Sequence, residues 1–207
     1  MSYGLITSKT VELPEIPVKK SIKLSAGKSA IIVVDMQNDF VKPSGSLVVP
    51  DAMATVPAIQ DLVARGREKG VKIAYTQDTH LEGDKEWTIW PRHTEQGTWG
   101  WQIIDELAPQ SGDLVCPKPR YDGFYGTQLD HYLSNQWGVE SVVIVGTISS
   151  ICVLHTAASA GLRWYQVVVP ADGISALNDF DQALTLRQVS WLYYGNVTKS
   201  VKDIKFA

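Results

Sequence analysis

Short runs of apolar residues recur along the chain, and most of them are rich in β-branched side chains. Ile31–Val34 and Val142–Val145 contain no polar residue, and neither run is long enough for a helix. Uncharged runs of this length are typical of strands that are buried on both faces of a parallel sheet. The pattern predicts strands at 31–35, 71–75, 114–116, 142–145, 166–169 and near residue 197.

Segments with apolar residues at helical spacing lie between these runs. One begins near Val56 and stops at Gly70, and the others fall at 103–107, 129–138, 151–162 and 182–194. Alternating strands and helices are typical of α/β folds. We therefore expect a three-layer α/β/α domain over residues 25–207, with a mainly parallel sheet of about six strands flanked by helices. Residues 1–24 contain Pro14 and Pro17 and show no sustained period, which predicts an N-terminal arm.

The composition narrows the class of partner. The 207 residues carry a formal net charge of -3, so nothing favours nucleic acid or an anionic membrane as a partner. No apolar stretch approaches the roughly 20 residues that span a bilayer, and residues 1–24 lack the apolar core of a signal peptide. We expect a cytoplasmic protein that acts on a small molecule and keeps its two cysteines as thiols. The arm and the surplus tryptophans Trp87, Trp99 and Trp101 predict a homo-oligomer.

Three potentially reactive side chains each follow a different predicted strand: Asp35, Lys118 and Cys152. Because ligands of open α/β sheets bind outside the carboxyl ends of the strands, we expect the three residues to meet at one sheet edge. A helix N-terminus and a nearby lysine would also lower the pKa of the Cys152 thiol. Taken one at a time, a turn aspartate, a solvated lysine and a packing cysteine are the alternatives.

Three segments around these residues carry a family resemblance. AIIVVDMQNDFV (30–41), KPRYDGFYGTQLDHYLS (118–134) and VGTISSICVLHTAASAGL (145–162) resemble the signature segments of the isochorismatase-like cysteine hydrolases, in the same order. That family includes nicotinamidases and N-carbamoylsarcosine amidases. The resemblance implies that Cys152 is a nucleophile, that Asp35 accepts its proton and returns it to the departing amine, and that Lys118 completes the catalytic triad.

The resemblance also implies how the site holds its substrate. The backbone N–H groups of Ile148 and Cys152 would form the oxyanion hole, after a cis peptide bond between Thr147 and Ile148. Pocket aromatics of the family correspond to Phe40, Trp90 and Tyr121.

A polar stretch after the second predicted strand suggests a metal site. Alternate side chains of an extended segment point the same way, so Asp78 and His80 can share one ion. Glu86 and His93 follow in EGDKEWTIWPRH (82–93), which is similar to the metal segment of nicotinamidases. Such ligands suit one divalent ion, zinc first, with iron or manganese as alternatives. Asp84 is the alternative ligand, and without the resemblance a solvated polar loop is the simpler hypothesis.

The metal segment favours a nicotinamide-like amide, which would be cleaved to a carboxylic acid and ammonia through a thioester at Cys152, with the metal orienting the substrate. The chain departs from the nicotinamidase pattern at two positions, one in the nucleophile segment and one after the metal histidine. Ser150 stands where nicotinamidases typically have an aspartate, and Thr94 replaces the cysteine or asparagine that often follows the metal histidine. Hydrolysis of a carbamoyl or ureido compound with the same triad is therefore the close alternative. A non-catalytic binding module is the third hypothesis.

Overall fold

The computed structural model describes residues 12–207. The strands are β1 (Val18–Lys19), β2 (Ile22–Leu24), β3 (Ser29–Val34), β4 (Lys72–Asp78), β5 (Leu114–Lys118), β6 (Ser141–Thr147), β7 (Gln166–Pro170), β8 (Ile174–Ser175), β9 (Asn196–Thr198) and β10 (Ile204–Phe206). The α-helices are α1 (Asn38–Val41), α2 (Ala52–Glu68), α3 (Leu129–His131), α4 (Leu154–Leu162) and α5 (Asp179–Trp191).

The main sheet has eight strands in the order β1-β9-β7-β6-β3-β4-β5, with β8 also paired to β6. All pairings between the strands of the described range are parallel. The predicted mainly parallel α/β/α architecture is confirmed. The sheet exceeds six strands because β1 and β8, at two residues each, are too short to show an apolar pattern.

The central strands are buried on both faces because a helical layer covers each side. In β3, Ile31 and Val33 pack into the same core as α2, whereas Ile32 and Val34 pack into the core that contains α4. Side chains along a strand alternate between the two faces, so one apolar run supplies both cores. Each such side chain contributes roughly 1.5–3 kcal/mol by leaving water.

The carboxyl-terminal part of the predicted arm pairs with the domain. Strand β1 lies beside β9, and β2 pairs with β10 at the end of the chain in a separate two-stranded sheet. Residues 1–11 of the arm lie outside the described residues, and the division at residue 25 stays a prediction.

The connection from β4 to β5 is long and has little regular structure. It contains a 3-10 turn at Lys85–Thr88, and the predicted helix at 103–107 is only another 3-10 turn at Asp105–Leu107. Among residues 12–207, no helix combines the length and apolar character needed to cross a membrane.

Candidate active site

Four polar residues meet at the carboxyl edge of the sheet. Asp35 directly follows β3, while Asp78 and Lys118 end the neighbouring strands β4 and β5. Cys152 lies in a π-helical turn, Ser149–Val153, that follows β6 and leads into α4. Asp35 has a left-handed backbone with φ of 50°, which turns the chain sharply as it leaves the sheet. The strand order therefore brings the predicted catalytic residues together.

Lys118 lies at the centre of this group. Its Nζ is 2.8 Å from Asp35 Oδ2, 2.8 Å from Asp78 Oδ1 and 3.6 Å from Cys152 Sγ. The side chains of Lys118 and Asp35 are completely buried. A buried ammonium between two carboxylates is a paired charge, which is the condition under which a lysine can remain inside a protein.

The two carboxylates beside Lys118 have opposite pKa shifts. Burial raises the pKa of Asp35 and outweighs the attraction of Lys118. Burial acts on Asp78 in the same direction, but Lys118 and the rings of His80 and His93 hold the pKa of Asp78 well below its usual value. Asp78 therefore stays ionised, and Asp35 is the carboxylate that can take up a proton.

The Cys152 thiol differs from the sequence-based expectation. Burial raises the pKa of Cys152 well above its usual value; Lys118 opposes the rise, while Asp35 and Asp78 add to it. The lysine and the helix N-terminus do not by themselves ionise the sulfur in the resting site. A thiolate can instead form when the proton passes to Asp35, because that transfer leaves the net charge of the buried cluster unchanged.

The turn before Cys152 is tightly constrained. Gly146 has φ of 114°, and a Cβ on it would lie 2.1 Å from the carbonyl oxygen of Val34. The Thr147–Ile148 peptide bond is cis. The carbonyl oxygen of Ile148 accepts hydrogen bonds from the N–H groups of Ile151 and Val153, which fixes the start of the turn.

The metal segment forms a compact cluster of nitrogen and oxygen ligands. The Nε2 atom of His80 is 3.1 Å from Asp78 Oδ2, and that of His93 is 3.4 Å from the same oxygen. The donor atoms of these three buried residues lie within 4.8 Å of one another. The Nδ1 atom of His80 contacts Asp84 Oδ2 at 2.9 Å, and that of His93 contacts the carbonyl oxygen of Pro91 at 2.6 Å. Both rings thus direct Nε2 inward.

Glu86 and Asp84 make different contacts with this cluster. Glu86 Oε1 is 3.9 Å from His80 Nε2, and its buried Oε2 has no hydrogen-bond partner among the described residues. That oxygen lies 3.8 Å from Arg120 Nη1, so its charge is partly balanced, and its lone pairs, which accept no hydrogen bond, are still compatible with a bound cation. Asp84 contacts the other nitrogen of His80 and pairs with Arg120, so it supports a ligand. Burial lowers the pKa of His80, but the carboxylates of Asp78, Asp84 and Glu86 outweigh it and raise that pKa to about 9.

Two of the predicted pocket aromatics lie together, and the third lies beside the metal ligands. The indole N–H of Trp90 donates to the hydroxyl of Tyr121 at 3.1 Å. Phe40 is buried, with its ring 5.6 Å from that of His93. A cavity of about 520 Å³ nearby is lined by Asp84, Lys118 and Arg120, whereas Cys152 and the three aromatics do not line it.

The sequence of this chain matches a known protein family. Residues 29–201 match the isochorismatase domain model. The chain belongs to the isochorismatase family. Ureidoacrylate amidohydrolase of Serratia proteamaculans is 31% identical, with 79% of this chain and 75% of that relative covered.

Two solved structures are similar to this chain. N-carbamoylsarcosine amidase from Thermoplasma acidophilum is 38% identical, with a TM-score of 0.75 over 83% of this chain and 95% of that one. Pyrazinamidase of Pyrococcus horikoshii, solved in complex with zinc, is 29% identical, with a TM-score of 0.77 over 83% and 98% of the two chains. The resemblance drawn from the three segments is confirmed.

Several supporting residues carry no signal of their own in the sequence. Gln37 clamps the backbone of Asp78: its Nε2 donates to the carbonyl oxygen at 2.9 Å and its Oε1 accepts from the N–H at 2.8 Å. Thr76 donates to Asp35 Oδ1 at 2.6 Å, and Ser149 donates to Thr185 at 2.9 Å. Gln37 and Ser149 lie within the family segments, and this position is the only feature of the sequence that indicates a role for them.

Proposed function

We propose that this isochorismatase-family chain is an amidohydrolase that cleaves a small carbamoyl or ureido compound through a thioester at Cys152. The buried contact between Lys118, Asp35 and Cys152 is the observation that carries the proposal. The two relatives named for ureido and carbamoyl substrates favour this alternative over nicotinamide, the first choice from the metal segment. Ser150, two residues before the nucleophile, points the same way.

The first half of the reaction uses Asp35 as the proton carrier. The thiol proton of Cys152 passes to Asp35 as Sγ attacks the carbonyl carbon, and the N–H groups of Ile148 and Cys152 stabilise the oxyanion. Asp35 then gives the proton to the amine as the carbon–nitrogen bond breaks. The products of this half are ammonia or a free amine and a carbamoyl thioester (a thiocarbamate) on Cys152.

Water completes the reaction in the second half. Asp35 takes a proton from the water as the water oxygen attacks the thioester carbon, and Asp35 returns that proton to the departing sulfur. The released carbamic acid breaks down to carbon dioxide and ammonia or an amine. Lys118 remains charged throughout, since its pKa lies well above the usual value beside Asp35 and Asp78 despite burial. Its role is to offset the negative charge that moves between Asp35 and Cys152.

Asp78, His80, His93 and Glu86 would hold one divalent ion beside this triad. Zinc is the first choice, because the zinc-bound pyrazinamidase has the same fold, and iron and manganese suit the same ligands. When bound, the ion supplies a Lewis acid that orients a lone pair of the substrate.

Turnover of a matched substrate panel tests the proposal. An N-carbamoyl amino acid, a ureido acid and nicotinamide are compared by ammonia and amine release. We expect kcat/KM to be at least about 10-fold higher for the first two compounds than for nicotinamide. This ratio corresponds to a discrimination of about 1.4 kcal/mol in the transition state. Cys152→Ala should lower kcat by about 10³-fold or more, whereas Cys116→Ala should retain it. Preference for nicotinamide overturns the substrate class, and full activity of Cys152→Ala overturns the mechanism.

A further inference from the structure

Thr94 has an unusual backbone at a critical place. It directly follows the metal-cluster residue His93, it is fully buried, and its φ is 42°. The left-handed region is a true outlier for a β-branched residue, and it persists only where surrounding contacts determine it. Such strain beside a candidate metal ligand calls for a functional reason.

Three hydrogen bonds hold Thr94 in this conformation. Its N–H donates to Asp39 Oδ2 at 2.7 Å, and its carbonyl oxygen accepts from the N–H of His80 at 3.1 Å. Its hydroxyl donates to Asp78 Oδ2 at 3.0 Å. Thr94 therefore joins the first family segment, through Asp39, to two members of the metal cluster.

Asp39 is itself held by several contacts. Its Oδ1 accepts from the N–H of Ser46 at 3.0 Å, and its own N–H donates to the carbonyl oxygen of Gly100 at 3.0 Å. A Cβ on Gly100 would lie 2.2 Å from Asp39 Oδ2, so the absent side chain at that position leaves room for the carboxylate. The backbone of Thr94 is thus tied to Asp39, which lies outside the β4–β5 connection.

We propose that Thr94 is a positioning residue that divides the carboxylate of Asp78 between Lys118 and the metal histidines. Asp78 Oδ1 accepts from Lys118, while Oδ2 accepts from Thr94 and faces both His Nε2 atoms. A carboxylate oxygen has two lone pairs, so Oδ2 can accept the hydroxyl and still bind a cation. This inference deepens the metal assignment of the proposed function and rests on it.

The test is a set of variants that separates the hydroxyl from the shape of the side chain. Thr94→Ser keeps the hydroxyl, Thr94→Ala differs from it by one oxygen, and Thr94→Val keeps the branched shape. Zinc affinity is measured by competition with a chromophoric chelator, independently of turnover. We expect Thr94→Ala and Thr94→Val to bind zinc about 10–100-fold more weakly than wild type, and Thr94→Ser to stay within about 3-fold.

Equal zinc affinity of the Ser and Ala variants would overturn the proposal, since the hydroxyl would then do nothing. The Ala and Ser pair decides the matter if Thr94→Val does not fold. If wild type itself binds no zinc, the metal assignment is wrong, and crystal structures of the pair still test Thr94. A rotated Asp78 carboxylate in Thr94→Ala alone supports the positioning role, and an unchanged one overturns it.

Discussion

At the scale of single residues, Asp78 serves two parts of the site with its two oxygens. Oδ1 pairs with Lys118, and Oδ2 lies with the rings of His80 and His93. A change at His93 touches only the metal side, whereas a change at Asp78 also removes a countercharge of Lys118. The contributions of the triad and of the metal cluster can therefore be measured separately with different variants.

His93→Ala should raise KM by about 10–100-fold, because an ion that orients substrate loses a ligand. The rate at which iodoacetamide labels Cys152 should change by less than about 3-fold, since His93 makes no hydrogen bond or ion pair with Lys118 or the sulfur. Steady-state kinetics and labelling followed by mass spectrometry measure the two effects. Asp78→Asn is the contrast and should alter both. A metal-free enzyme with full turnover in excess chelator would show this segment to be an ordinary polar loop.

The two cysteines should react very differently with a thiol reagent. Burial raises the pKa of Cys116 to about 11, so only about 10⁻⁴ of it is thiolate at pH 7. Cys152 is also buried, but Asp35 can accept its proton beside Lys118. Peptide mapping at pH 7 should find modification at Cys152 first, and Asp35→Asn should slow it by about 10-fold or more. Modification of Cys116 alone, with activity lost, is the contrary result.

At the scale of elements, the close approach of β6 to β3 depends on Gly146. Its φ is 114°, and a methyl group added there would lie 2.1 Å from the carbonyl oxygen of Val34, which leaves no room for alanine. Gly146→Ala should lower the free energy of unfolding by about 3 kcal/mol or more in urea titrations. Gly27→Ala is the matched control, because a Cβ there meets nothing within 4 Å. Equal stability of the two variants would contradict this account of the turn.

The sequence predicted those elements whose pattern is local. Runs such as Ile31–Val34 are fully apolar because both faces of the sheet are covered, and that burial is visible in the letters themselves. The strand Val18–Lys19 is exposed and two residues long, so nothing in its composition marks it. The π-helical turn at Ser149–Val153 likewise has no signature distinct from an α-helix.

The candidate site divides in the same way. Asp35, Lys118 and Cys152 follow strands, so topology alone predicted where they meet. Thr94 and Thr185 act through partners 16 and 36 residues away, and a threonine looks the same in the sequence with or without such a partner. The sequence also could not predict the raised pKa of Cys152, because that pKa depends on the depth of burial, which is a property of the packed fold.

At the scale of the whole molecule, the two ends of the described chain hold each other. Strand β2 pairs with β10. The N–H of Ala26 donates to the carbonyl oxygen of Ala207 at 2.9 Å, and the N–H of Ala207 donates to the carbonyl oxygen of Leu24 at 2.9 Å. Ile22 and Leu24 are buried in the same core as α2. This part of the predicted arm therefore contributes to the core of the domain.

Leu24→Ala should consequently destabilise the whole fold. Leu24 is 3% exposed, and truncation of a buried leucine costs about 2–5 kcal/mol through lost burial and the cavity left behind. Leu13→Ala, in the same arm but 50% exposed, should change the free energy of unfolding by less than about 0.5 kcal/mol. Urea unfolding followed by tryptophan fluorescence measures both. If Leu24→Ala is as stable as Leu13→Ala, residues 18–24 form a dispensable arm on the domain, and the boundary at residue 25 stands. If only Leu24→Ala loses stability, the domain begins before Val18.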